Sequence, residues 1–336
     1  MTAVEVAIKN AVIAAGRLHG DLNTKERVIE GNGQVDVFGI LARLDVPLLF
    51  RPLEGLLGAY LNDPAPGILV TTKRPLSVQR FTAAHELGHH YLRHNPSLDD
   101  ESILRRSPFM ASRDANLQEV EADSFAASFL LPQWLVVLHC KRQGWTTADF
   151  TSARVVYQLS LRAGTSYTAT CWTLARYRFV NRLQARELSK IEPRTIKQSI
   201  LGRFKPSNYY GDVWELTEAD KSNVLHGGPS DIFVIRLKEN AGAGYLWRVD
   251  ELSQAGFSLR DDSRENASLS DTVGGPVTRR IVAESTRQQD GKLSLSEARP
   301  WQLDQVASRY IVDLDLYGAE AEGYSRAERR FRLEAA

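Results

Sequence analysis

His85-Glu86-Leu87-Gly88-His89 is the string that most restricts what this chain can become. Residues four apart share one face of an α-helix, so the spacing predicts a helix, over Ser77–Arg93, with both imidazoles pointing the same way. Helical spacing also brings Val78, Phe81, Gly88 and Leu92 near that face, so the histidines are expected to turn inward. Two inward imidazoles can reach one metal ion. Glu86, one position round the helix, can reach a water at that ion without being a ligand. A five-residue pattern arises by chance often enough that a third ligand is required.

The segment from Leu117 to Pro132, LQEVEADSFAASFLLP, supplies it. Glu119 and Asp123 share a helical face, and Ala122 and Ala126 keep that face slim enough to approach the first helix. Glu119 completes a two-His-one-Glu set with an open fourth position, a donor set that suits zinc. Asp123 can accept a hydrogen bond from a ligand imidazole and fix its tautomer. Glu121 stays open as the alternative ligand, because both spacings are sterically possible. The chemistry implied is hydrolysis: zinc acidifies a water and polarises a carbonyl, while Glu86 takes the proton and passes it to a leaving amine. His90 is rotated off the ligand face; His94 could approach from the helix end, but a cation closing the helix C-terminus is the favoured reading. His19, His139 and His226 have no ligand-like neighbours.

The pattern changes near Arg203. Before it, helical spacing dominates, with short strand candidates at 46–50, 58–61 and 67–72 and the turn-forming NDPAPG between the last two. After it come short alternating runs broken by Gly, Pro, Asn and Asp: Asp231–Leu237, Tyr245–Val249 and the stretch around Tyr310, Val312 and Leu314. Charge divides at about the same place. Residues 1–200 carry 24 Lys/Arg against 19 Asp/Glu, and residues 201–336 carry 18 against 22. Two domains are therefore expected, 1–202 and 203–336. The fold class expected is α+β, a helical domain with a small sheet followed by an all-β immunoglobulin-like sandwich.

Neither charge excess demands nucleic acid, and direct nucleic-acid binding is not expected. No run reaches the ~18 apolar residues that would span a bilayer. The opening MTAVEVAIKNAVIAAG carries Glu5 and Lys9 and reads as an amphipathic helix, not a secretory signal. Cys140 and Cys171 are too few for a disulfide framework, so a reducing, cytoplasmic setting is expected, with both as buried hydrophobes.

RFTAAHELGHHYLRH (80–94), EVEADSFAASFLLP (119–132) and the preceding GILVTT together resemble the ImmA/IrrE family of metallo-endopeptidases, over roughly residues 30–200. The resemblance implies a zincin-like, gluzincin-type domain with zinc at His85, His89 and Glu119 and Glu86 catalytic. It also implies a cytoplasmic endopeptidase that cuts a cognate helix-turn-helix repressor and so switches genes on. Val155–Val180 is similar to the family's trailing helical segment. Its Gly-Thr-Ser turn is loosely helix-turn-helix-like, but Arg162, Arg176 and Arg178 make only a thin basic set, which favours a packing role.

The second domain is similar to chagasin-like inhibitors of papain-type cysteine proteases. NAGAGYLW (240–247), VGGP (273–276) and ARPW (298–301) match that family's three loops in order, over roughly 209–318. The resemblance implies an immunoglobulin-like sandwich whose loops converge at one end, with Asn240, Gly244, Tyr245, Gly274, Gly275, Arg299, Pro300 and Trp301 as protein-binding residues and a papain-like protease as a possible partner. Ala241, Gly242 and Ala243 stand where that family has Pro-Thr-Thr, losing a stiff proline and two hydroxyls. Two rival readings remain: an inhibitor of papain-like proteases with the metal domain as carrier, and a DNA-binding regulator with a vestigial metal site.

Overall fold

The computed structural model describes residues 2–31, 33–62, 66–95, 98–100, 116–266, 277–285 and 290–335. Two compact units emerge, one of residues 1–139, 146–190 and 319–336, the other of 140–145 and 191–318.

In the first unit, Thr2 and Glu5 cap each other and start α1 (Ala3–Asp21). Next come α2 (Thr24–Glu30), α3 (Val37–Arg43) and the strands β1 (Leu48–Arg51), β2 (Leu56–Leu61) and β3 (Gly67–Thr71). These are followed by α4 (Leu76–Leu92), β4 (Leu98–Asp100) and α5 (Leu117–Leu130). Then come α6 (Gln133–Gln143), α7 (Ala153–Ala163), α8 (Tyr167–Arg176) and α9 (Arg182–Ser189). The sheet runs β1–β3–β2–β4, with β1 parallel to β3 and β2 antiparallel to both β3 and β4.

Small residues set how closely the helices approach. The buried stripe of α1 is Ala7, Ala11, Ala14, Ala15 and Leu18, and it packs on α5. Where α4 crosses α5, a Cβ on Gly88 would stand 3.2 Å from the Ala122 Cα, closer than side chains ordinarily tolerate. That crossing brings the inward face of α4 directly against α5. The loosely helix-turn-helix-like turn does pack: Gly164 (φ 65) gives its carbonyl to Arg80 of α4 at 3.1 Å, and Arg162 is buried against Gln158. Burial of Arg80 lowers its guanidinium pKa to about 10. Cys171 is buried, its thiol pushed up to about 12 by that burial, and Cys140 is half-buried.

The second unit opens with α10 (Pro193–Leu201), then β5 (Val213–Leu216), β6 (Val224–His226), β7 (Ile232–Glu239) and β8 (Leu246–Trp247). It continues with α11 (Glu251–Gln254), β9 (Phe257–Asn266), β10 (Val277–Ser285), β11 (Asp290–Arg299) and β12 (Gln302–Asp315). They form two four-stranded sheets, β5–β7–β10–β9 and β6–β12–β11–β8. Alternation is clearest on β12, where Tyr310, Val312 and Leu314 are buried and the residues between them are half-buried. The strand expected over Tyr245–Val249 shrinks to two residues, Leu246 and Trp247, which pair with Ala298 and Glu297 where β11 shifts register against β12.

The chain then returns. β13 (Gly323–Tyr324) pairs antiparallel with β1, and α12 (Arg326–Ala335) packs on α3. Gln79 of α4 donates to the Glu320 carbonyl at 3.1 Å and accepts from the Glu320 N–H at 2.7 Å, which holds that backbone as a strand partner would. The sequence places its division at 202/203; in the structure residues 319–336 group with the first unit and 191–202 with the second. Two-residue strands and side-chain clamps leave no periodicity to read.

Candidate metal centre

α4 and α5 build the site. His85, Glu86 and His89 on α4 are fully buried, and Glu119 in the first turn of α5 is largely buried. The His85 and His89 Nε2 atoms face each other at 3.0 Å. Glu119 sends Oε2 to within 3.4 Å of His85 Nε2 and Oε1 to within 3.7 Å of His89 Nε2.

The outer nitrogens decide the tautomers. His85 Nδ1 lies 2.9 Å from Asp123 Oδ1, a carboxylate that favours the proton on that nitrogen and Nε2 bare. His94 Nε2 lies 3.1 Å from Glu121 Oε2 and His94 Nδ1 lies 3.0 Å from His89 Nδ1. His94 therefore donates to Glu121 and accepts from His89, whose Nε2 is left bare as well. Two bare imidazole nitrogens and a carboxylate converge on one point, an arrangement of lone pairs that repel unless a cation lies between them. Their separations of 3.0–3.7 Å bracket the roughly 3.3 Å between ligand atoms of a tetrahedral ion with bonds of about 2.0–2.1 Å. The donor set fits such an ion. Among the described residues, these three are the cluster whose donor atoms converge closely enough to hold one.

His94 is the residue the sequence reading missed. As a terminal cation it would be exposed, yet it is buried, and burial holds its imidazole below its ordinary pKa while Glu121 acts in the opposite direction. The reason is a left-handed residue at the helix end. Arg93 (φ 58) donates to the His90 carbonyl, and the His94 N–H then bonds back to the His89 carbonyl at 2.9 Å, the Schellman pattern. That reversal swings the His94 ring under His89. Glu121, left open as a ligand, is engaged with His94 instead. The other histidines lie elsewhere: His90 meets Tyr60, His19 the Phe129 carbonyl, His139 the Gly33 carbonyl and His226 Asp315. Gly58 of β2 also escaped notice; a Cβ there would stand 2.8 Å from Glu86 Oε1.

Residues 41–171 match the profile of the IrrE N-terminal-like domain, a peptidase family, and residues 229–314 match that of the chagasin family of peptidase inhibitors. An IrrE N-terminal-like peptidase domain precedes a chagasin-family domain. The architecture is α+β, a helical domain with a small sheet ahead of a β-rich, chagasin-like one. No curated protein matches the chain. Among solved structures, the cysteine protease inhibitor EhICP2 from Entamoeba histolytica is 23% identical, with 32% of this chain and 99% of that one covered at a TM-score of 0.28. PbICP-C, solved in complex with falcipain-2, is 19% identical, covering 34% and 97% at 0.21. A Mycobacterium tuberculosis transcriptional regulator is 13% identical, covering 82% and 76% at 0.33.

In the chagasin-family domain the first and third loops meet. Gly244 (φ 81) lies beneath the Trp301 ring, where a Cβ would be 2.9 Å from the indole. The Arg299 guanidinium sits 4.6 Å over the Tyr245 ring and donates to the Ala243 carbonyl. Asn240 is held from beneath by buried Glu297, through its N–H at 2.8 Å and its side-chain amide at 3.2 Å. Pro300 lies in the turn between β11 and β12. Trp301 is 70% exposed, whereas Trp247, on β8, is buried and donates to the Lys238 carbonyl. Gly274 and Gly275, in the second loop, lie outside the described residues. Among the described residues no helix is long and apolar enough to cross a membrane.

Proposed function

We propose that this chain is a zinc-dependent endopeptidase acting on a regulatory protein, in a reducing cytoplasmic setting. The observation that carries the reading is the convergence of two bare Nε2 atoms and the Glu119 carboxylate beside a buried Glu86 on the same helix. His85, His89 and Glu119 would hold the ion, with Asp123 orienting His85. Zinc at this position would supply Lewis-acid polarisation of the scissile carbonyl and of the attacking water. Glu86 accepts the water's proton and delivers it to the departing amine nitrogen. The family resemblance supports a cognate helix-turn-helix repressor as substrate, so that cleavage switches genes on. The chagasin-family loops act as a protein-binding module that recruits or senses a partner.

Glu86→Gln tests the chemistry, since the amide keeps the shape but accepts no proton. Metal content should be unchanged and repressor cleavage should fall by orders of magnitude. Normal cleavage by that variant removes Glu86 from its role. A second reading, inhibition of a papain-like protease, is favoured by exposed Trp301 packed over Gly244. Inhibition of papain by metal-free protein would support it.

A further inference from the structure

A cavity of about 660 Å³ opens where α8 turns into α9, and its walls offer donors. Arg176, Arg178 and Arg182 line it together with Trp172, Asn181 and Gln184, and no lining residue is acidic. The side-chain oxygens of Asn181 and Gln184 are already used, each accepting the other's backbone N–H at 2.8 Å in the capping box of α9. Their amide NH₂ groups remain as donors, as does the Trp172 indole N–H. The side chains of Arg178 and Arg182 are exposed and make no ion pair or hydrogen bond with any of the described residues.

Arg178 also occupies a position where arginine is conformationally unfavourable. Its φ is 62, in the left-handed region that closes α8, where the Phe179 N–H bonds back to the Leu174 carbonyl. Glycine or asparagine fits such a position with less strain. An arginine kept there beside a second unpartnered arginine, around a concave space, is an arrangement that recognises an anion.

We propose that this cavity is a binding site for a nucleotide-class ligand, with the phosphates on Arg178 and Arg182 and the base against the Trp172 and Phe179 rings, which also line it. Guanidinium groups match phosphate oxygens in pairs, and the aromatic residues have faces on which a base can stack. The volume falls within the range of small-ligand sites. Duplex nucleic acid is a poorer match. Its grooves take a protruding helix, whereas here the charges surround a hollow and Arg162, two residues before the Gly-Thr-Ser turn, is buried.

Isothermal titration of the full-length protein with ADP, inorganic phosphate and a short DNA duplex tests this. ADP should bind at sub-millimolar concentration and more tightly than phosphate. Arg178→Gln and Arg182→Gln should each weaken ADP by roughly tenfold, with the melting temperature unchanged because both side chains are exposed. Absence of ADP binding overturns the proposal, as does binding that both variants leave intact. Phosphate binding as tightly as ADP removes the base from the site and overturns the nucleotide class. Capture of the duplex without ADP assigns the arginines to nucleic acid instead.

Discussion

His94 Nδ1 lies 3.0 Å from His89 Nδ1, and this contact fixes which nitrogen of His89 faces Glu119. The same ring reaches Glu121 on its far side, so a carboxylate on α5 orients a histidine on α4 through an intervening imidazole. His94→Ala should therefore weaken metal affinity by roughly 10–100-fold without abolishing it, and Glu121→Ala should do the same or less. Glu119→Ala should release the metal. Competition titration against a chromophoric chelator ranks the three variants. Complete loss with Glu121→Ala and retention with Glu119→Ala would transfer the ligand role to Glu121.

Gly58 is where β2 comes close to Glu86. A Cβ there would collide with the Thr82 methyl group, and would stand 2.8 Å from Glu86 Oε1 and 2.9 Å from the Leu69 carbonyl. Gly58→Ala should push the Glu86 carboxylate aside while His85 and His89, one and three positions along, keep their metal. Turnover is expected to fall by roughly a hundredfold, the usual effect of misplacing a reacting group by about an ångström. The measurement is kcat alongside metal stoichiometry. Unchanged kcat would show that the Glu86 position has slack, and simultaneous loss of metal would show that α4 itself moved.

His19 provides a pH dependence outside the site. It is buried on α1, stacked on Phe129 and donating from Nε2 to that residue's carbonyl, and burial lowers its pKa from 6.5 to about 4. The unfolded chain takes up this proton as pH falls through 6.5, but the folded one resists until about 4. Stability should therefore drop across that window and level off below it. The loss attributable to His19 by pH 4.5 is about 2–3 kcal/mol. Urea midpoints at pH 7 and 4.5 for the wild type and for His19→Gln, which can still donate to Phe129, isolate it. Equal pH sensitivity in both proteins would contradict the assignment.

What could be read from sequence follows from range. His85, Glu86, His89, Glu119 and Asp123 are spaced by helical periodicity, so their faces were legible before any tertiary structure was known. The α4 boundaries differ from expectation by only a residue at either end. His94 was misread because its position hangs on a single left-handed residue, Arg93, which has no compositional mark. The return of 319–336 was invisible for a related reason. Gln79 and Glu320 are 241 residues apart, and a two-residue strand has no period. The cavity was not legible either: Arg178 reads as part of a thin basic set with Arg162 and Arg176, and Arg182 is not singled out, because sequence shows charge but not concavity.

The two loop tryptophans separate packing from recognition. Trp247 and Trp301 both stand in the matched loop strings, but Trp247 is buried with its indole N–H on the Lys238 carbonyl, while Trp301 is 70% exposed over Gly244. Trp247→Ala should remove a core side chain and cost about 3–5 kcal/mol, enough to unfold a marginal domain. Trp301→Ala should leave the melting temperature within a few degrees of wild type, since little of its surface is withdrawn from water. If the loops bind protein, an exposed tryptophan braced by glycine and flanked by the Arg299–Tyr245 pair is where binding energy concentrates, and its loss should weaken partner capture by tenfold or more. Papain is the first partner to test, by surface plasmon resonance with wild type and both variants, together with cleavage of a short unstructured peptide as a check on the peptidase domain. Hydrolysis of that peptide should be unchanged in Trp301→Ala. A folded Trp301→Ala protein that captures papain and the repressor as tightly as wild type would remove these loops from recognition.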